Sequence, residues 1–391
     1  AYMQGFQGEI LSNQSVMTMV KHFPGGGPQL DGLDPHLKSG ESQVYPGDHF
    51  DYHLAPFIAA IENNMRVVMP YYGIPTGQTD EDVAMAYNRY VLTDLLRDEL
   101  GFEGVICTDW GVVTGRIWGV EHLTVEERYL KSIQAGVDQY GGESDPEYII
   151  RLVIQGAISE ARIEKSVRRI LRNKFDLGLF ETPFVDETEV KALVNLPAYV
   201  SLGMTAQRNS VVLLDNGSTA LPLTVGTRIF VDGLDPSVAA RYGTVVDTSD
   251  EADVVLLFLN TVFNGNQSAG TDRILDKMMA TRFPDTNLAF SEEILAKADS
   301  YREVSQLVTL VDFNRPAVLT ELKDMSDALV GTFGVSDEAM LDVVFGRHNP
   351  VGKLPFELPS SMTEVEAQLE DVPDDTANPL FPYGWGLSYE P

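Results

Sequence analysis

The chain has 391 residues, 44% of them hydrophobic, and a formal net charge of −30 at pH 7. That length calls for two domains, and so acidic a balance repels nucleic acid and anionic membrane surfaces, which excludes both as partners. No stretch approaches the length of an apolar membrane span, and the single cysteine, Cys107, excludes an intrachain disulfide framework and a cysteine-based zinc site.

The opening stretch AYMQGFQGEI has no basic segment followed by an apolar one, so no secretion signal is visible in this chain and the compartment stays unknown. Strands are expected at Val16–Lys21, Arg66–Tyr71, Gly104–Thr108 and Gly136–Gln139. Helices are expected over Asp82–Glu99, Thr124–Ala135, Glu147–Gln155 and Glu160–Phe175. In the first of these Val83, Met85, Ala86, Val91, Leu92, Leu95 and Leu96 recur at helical spacing, and Gly101 supplies the stop. This βα alternation argues for a parallel sheet or barrel. Glu181–Tyr199 holds two prolines and mixed charge and reads as a linker. The boundaries are therefore set at 1–181 for a first domain, 182–204 for the linker and 205–391 for a second domain. In the second, strands are expected at Ser210–Leu214, Arg228–Val231, Asp253–Leu259, Leu307–Asp312 and Asp327–Thr332, with helices at Phe290–Tyr301 and Asp337–Val344. That pattern suggests a doubly wound α/β sandwich. The tail Met362–Pro379 reads as acidic and irregular.

Polar or aromatic residues follow several of the first four strands. Lys21 and His22 precede three glycines in VKHFPGGG; Tyr71 and Tyr72 follow Met69-Pro70; Asp109 and Trp110 close GFEGVICTDWG; Asp138 follows Gly136-Val137. Each alone has a plainer explanation. A lone Asp at a strand end is more often a cap, a glycine triplet a flexible turn, and a tyrosine pair core. Together they are the arrangement a barrel-mouth site requires, since catalytic groups there come from several strand ends. Cys107, inside its strand, reads as a buried inert thiol rather than a nucleophile.

KHFPGGG, the Met69 to Tyr72 strand, LLRDELGFEGVICTDWG, AGVDQ and ARIEKSVRRILRNKFDLGLF occur in this order and resemble the second half of the barrel of glycoside hydrolase family 3. GRHNPVGKLPFELP and the closing YGWGLSY resemble that family's sandwich domain. The resemblance implies an α/β fold class: the second half of a (β/α)8 TIM-type barrel, then a doubly wound αβα sandwich. It implies a retaining exo-β-glycosidase, β-glucosidase-like, acting on a small saccharide or glycoside through a covalent glycosyl–Asp intermediate. Asp109 would be the nucleophile, Trp110 an apolar wall beside it, Lys21 and His22 the binders of sugar hydroxyls, and Tyr72 a pocket tyrosine. Neither metal nor organic cofactor is expected, because carboxylate and imidazole chemistry suffices.

Two departures from the family pattern bear on the acid/base. Family β-glucosidases carry a glutamate just before a Gly-x-Asp-Arg segment; here Gly270-Thr271-Asp272-Arg273 follows Ala269. The family's β-N-acetylglucosaminidases instead use an Asp-x-His dyad, and Asp34-Pro35-His36 stands in the corresponding loop. Asp34 and His36 are thus candidates for the acid/base pair. A β-N-acetylglucosaminidase and a non-catalytic carbohydrate-binding relative remain as alternative readings. About four of eight βα units are visible, so a complementary N-terminal half-barrel is expected, from a second chain or a missing segment.

Overall fold

The computed structural model describes residues 1–261, 274–283 and 285–389. They form a mixed α/β protein of two compact units, the first running Ala1–Asp186 and receiving two later returns of the chain, residues 274–283 and Leu369–Val372.

In the first unit four parallel strands lie side by side in chain order: Met19–Phe23, Val67–Pro70, Val105–Trp110 and Gln139–Gly141. Val67–Pro70 is buried throughout, as is the run Val105 to Thr108, the near-continuous burial of parallel strands covered on both faces. Side chains alternate between two cores. Val68 and Ile106 pack with Leu54, Phe57, Val91, Leu92 and Leu95 from helices, whereas Val67, Val105 and Cys107 pack with Met17 and Ile170. Burial pushes the Cys107 thiol up to about 11, which keeps it protonated.

The helix expected over Asp82–Glu99 is shorter. Only Tyr90–Glu99 is helical, wound in the wider π form, and Met85–Tyr87 makes a separate tight turn. The Asn88 side chain accepts from the Val91 N–H at 3.1 Å and starts the helix there. Val83 and Ala86 are buried in another cluster with Trp118 and Val120, so their spacing recorded burial rather than one helix face. Phe50–Glu62 is a helix with Pro56 inside, a residue that argues against a helix when read from sequence.

The last strand also differs. Gln139–Gly141 begins where a strand over Gly136–Gln139 was expected to end, so Asp138 precedes the strand and does not stand at its exit. The Asp138 side chain is fully buried. Its carboxylate lies 2.6 Å from Arg97, 2.9 Å from Arg169, 2.6 Å from the Ser166 hydroxyl and 3.1 Å from the Ile106 N–H. Every lone pair is engaged, and the residue is a structural hub rather than part of a strand-end site.

The second unit holds a six-stranded sheet in the order Val212–Asp215, Ala328–Thr332, Gln306–Asp312, Val254–Asn260, Arg228–Asp232, Thr244–Val245. All neighbours are parallel except the edge strand Val212–Asp215. Val254, Leu256, Val308, Leu310 and Val330 face one core, and Val255, Leu257, Leu307, Val311 and Leu329 face a second. Inside the stretch read as a linker, Glu187–Leu193 is helical and Pro197–Ser210 begins a longer helix. Pro197 occupies the first helical turn, where a missing N–H costs nothing. The tail is ordered too: Ser361 caps the helix Met362–Ala367, and Pro379–Phe381 pairs with Leu358–Pro359. No helix among the described residues is long and apolar enough to cross a membrane.

Candidate active site

The parallel strands of the first unit bring Lys21 level with Met69 and Val68 level with Ile106. His22, Tyr71, Tyr72, Asp109 and Trp110 therefore leave the sheet at the same C-terminal edge. The Lys21–His22 and Phe23–Pro24 peptide bonds are cis. Gly25 adopts φ 132°, a conformation that side chains disfavour, and a Cβ there would meet the His53 Cβ at 2.9 Å. Gly25 is thus required by a turn packed directly on His53.

The Asp109 side chain is only 12% exposed. Oδ1 accepts from the Trp110 N–H at 2.7 Å, and Oδ2 lies 3.3 Å from Nε2 of His22. That second approach is an ion-pair contact, and the buried Nε2 makes no hydrogen bond among the described residues. Burial pushes the carboxyl up, but His22, the Trp110 N–H and the Tyr72 hydroxyl outweigh it and hold it down to about 2. Asp109 is therefore a carboxylate at neutral pH.

Tyr72 is 1% exposed and donates to the Trp110 carbonyl at 2.7 Å. Burial, then the neighbouring Asp109 charge, push its phenol well above the ordinary range, so it stays a donor. Its ring packs edge-on against the His36 imidazole, centroids 4.9 Å apart, and the Arg116 guanidinium sits 5.8 Å from the same ring. Tyr72 thus touches both the Asp109 neighbourhood and the loop that carries His36.

In that loop Asp34 Oδ1 lies 2.6 Å from Nδ1 of His36 and also accepts the His36 backbone N–H at 2.8 Å. This is an Asx turn, and Pro35 between the two residues suits it because its fixed φ matches the central position. The Pro35 carbonyl accepts from the Trp118 indole at 2.8 Å, and Phe283 stacks on the imidazole with centroids 5.0 Å apart. Tyr71 packs against His22 at 4.9 Å, and its hydroxyl accepts from Gln29 at 2.6 Å.

The structure therefore gathers His22, Tyr72, Asp109, Asp34 and His36. Lys21 shares the His22 strand and is exposed. Trp110 contributes its backbone to the cluster, while its ring lies over Gly141 and Gly142; a Cβ at Gly142 would come within 2.3 Å of the indole. Ala269 and Gly270 to Arg273 lie outside the described residues. Sequence reading passed over Phe283, Arg116 and Gln29, which carry no motif of their own; Tyr71 was visible beside Tyr72. Among the described residues no three His, Cys, Asp or Glu side chains group as a metal site. A separate cavity of about 550 Å³, lined by Tyr87, Lys131 and Arg162, contains none of these residues.

Known sequence patterns decide the family. The Glycosyl hydrolase family 3 N terminal domain matches residues 1–173, and the Glycosyl hydrolase family 3 C-terminal domain matches residues 232–389. The chain belongs to glycoside hydrolase family 3. Among curated relatives, β-glucosidase C of Emericella nidulans is 45% identical over 406 residues, covering 100% of this chain and 64% of that protein. A periplasmic β-glucosidase/β-xylosidase of Dickeya chrysanthemi is 36% identical over 417 residues, covering 99% and 62%. The chain thus spans somewhat under two thirds of these curated relatives. The crystal structure of a β-glucosidase from Listeria innocua in complex with isofagomine superposes with a TM-score of 0.79 at 23% identity, over 99% of this chain and 61% of that one. The mixed α/β fold with parallel sheets is shared with that structure.

Proposed function

We propose that this chain carries the nucleophile-bearing part of a retaining exo-β-glycosidase of β-glucosidase type, with Asp109 as nucleophile and the Asp34–His36 pair as acid/base. One observation carries the reading: a carboxylate held ionised at a strand end, and a carboxylate-backed imidazole packed on the tyrosine that touches it. Asp109 attacks the anomeric carbon of a terminal β-linked sugar. The bond to the aglycone oxygen breaks, and that oxygen takes a proton from Nε2 of His36, leaving a glycosyl ester on Asp109. Neutral His36 then removes a proton from water as its oxygen attacks the anomeric carbon, and the ester bond breaks to regenerate the carboxylate. Asp34 directs the Nδ1 proton toward itself and leaves Nε2 for exchange. Lys21 and His22 bind sugar hydroxyls, Tyr72 positions Asp109, and Trp110 closes one side.

The relatives' names, β-glucosidase and β-xylosidase, favour this over a β-N-acetylglucosaminidase. An ionised Asp109 beside a carboxylate-backed imidazole favours it over a carbohydrate-binding relative without turnover. In the same reading the four-stranded sheet is the second half of a (β/α)8 barrel, and the six-stranded unit is the family's αβα sandwich. Met19–Phe23 and Gln139–Gly141 each have one strand neighbour among the described residues. A complementary half-barrel, from a second chain or a further segment, would pair with both edges.

Trapping with a 2-fluoro β-glucoside, followed by peptide mapping, tests the assignment. Label on Asp109 is expected. Label on another carboxylate overturns the nucleophile. Absence of turnover across a panel of nitrophenyl β-glycosides, with the complementary half supplied, overturns the enzyme reading.

A further inference from the structure

The loop between Pro24 and His49 carries the Asp34–His36 pair, yet much of what holds it comes from far along the chain. Leu369–Val372 returns into the first unit and meets this loop at several points. Asp371, only 1% exposed, accepts the Gly47 N–H on Oδ1 and the His49 N–H on Oδ2, both at 2.8 Å. Its backbone carbonyl lies 3.1 Å from Nε2 of His53, the side chain on which Gly25 packs. Glu370 accepts the Asp31 N–H at 3.4 Å, three residues before Asp34. Val372 fills the space over Gly47 so closely that a Cβ there would stand 2.1 Å from its methyl group. One short segment therefore grips the loop before Asp34 and after His36, and touches His53, on which the turn following His22 packs.

We propose that Asp371 is a positioning residue for the Asp34–His36 pair, clamping the far side of its loop through the Gly47 and His49 amides. A buried carboxylate whose oxygens each accept a backbone N–H fixes the direction of those peptides far more rigidly than solvent would. Without it the Gly47–His49 turn loses two charge-assisted bonds at once, and the loop keeps its other anchors: the pairing of Ser42–Gln43 with Ile74–Pro75, the Lys38–Glu121 ion pair and the contacts around Pro35 and Phe283. The imidazole would then sample positions away from a bound sugar, and a misplacement of about 1 Å costs on the order of 100-fold in rate.

This rests on the acid/base reading of His36, and the experiment separates the two. In the full chain with its complementary half, Asp371→Ala is expected to speed hydrogen exchange of the Gly47 and His49 amides about 10- to 100-fold. Amides of Val254–Asn260, in the other unit, are expected to stay unchanged. On a nitrophenyl β-glucoside, kcat is expected to fall about tenfold or more with little change in KM. Asp371→Ala combined with His36→Ala is expected to be no slower than His36→Ala alone, because the clamp acts through His36. Asp371→Asn keeps one acceptor oxygen and is expected to lie between; it serves if the alanine variant fails to fold. Unchanged exchange at Gly47 and His49, or losses that multiply in the double variant, overturns the proposal. A wild-type enzyme whose turnover survives His36→Ala overturns the acid/base reading instead, and exchange alone then decides the clamp.

Discussion

The environment of Asp109 is built from separable contributions, and each can be removed singly. Asp109→Asn is nearly isosteric and keeps an acceptor for the Trp110 N–H, so the fold is expected to be kept, with a modest loss of thermal stability because the favourably held charge is gone. Turnover is expected to fall by about a thousandfold or more, because an amide does not form the glycosyl ester; steady-state rates on a nitrophenyl glucoside measure this. The carboxyl is held at about 2, below its ordinary 3.8. A depressed acid favours the folded state above its unfolded value and loses that contribution as pH falls through the folded one. In the proposed mechanism the acidic limb of kcat/KM therefore lies below the range of an ordinary aspartic acid. Removing His22 leaves burial opposed only by the Trp110 and Tyr72 contacts, so His22→Gln is expected to move that limb upward. A pH–rate profile with an unmoved limb would show that His22 does not set the charge. Tyr72→Phe removes the donor to the Trp110 carbonyl, and a loss of about 10- to 100-fold in kcat with modest change in KM is expected.

At the scale of elements, the Asp138 hub ties the helix of Arg97, the strand of Ile106 and the later helix of Ser166 and Arg169 together. Burial pulls the Arg97 guanidinium down to about 10 against the opposing pull of Asp138. Replacing Asp138 with Ala leaves Arg97 buried and uncompensated, with Arg162 and Arg169 close by. A loss of about 3–5 kcal/mol in unfolding free energy is expected, read from urea denaturation. This residue also shows what the sequence could and could not convey. The elements Val105–Trp110 and Val125–Ala135 were legible because β-branched runs and a Thr124–Glu127 capping box are local signals. The structural role of Asp138 was not, because it depends on arginines from two helices distant in sequence. Phe50–Glu62 was hidden by Pro56, and the break before Tyr90 by an asparagine side chain that competes with the backbone. Among site residues, Asp109, His22 and Tyr72 were legible as strand ends. Asp34 and His36 were named as a pair, and their 2.6 Å contact could be seen only once the loop was folded. Phe283 and Asp371 had no local signal, since tertiary return alone puts them there.

At the scale of the molecule, the open sheet of the first unit sets how the protein should behave in solution. Met19 is exposed on the edge strand, and Val16, Phe6 and Ile10 are exposed nearby. Such an edge invites pairing. Light scattering of the isolated chain is expected to show self-association that disappears when the complementary half is added; a monodisperse monomer unchanged by that addition would count against the half-barrel reading. Order of synthesis adds a further consequence. The Gly47–Asp371 bond joins residues 324 apart in sequence. At about 5–20 residues per second, the ribosome needs on the order of tens of seconds to deliver the second partner after the first. The nascent chain therefore carries Lys21, His22, His36 and Asp109 well before the segment that clamps the loop exists. A product released short of Leu369 would hold every proposed catalytic side chain and still lack the Asp371 clamp on the Gly47–His49 turn.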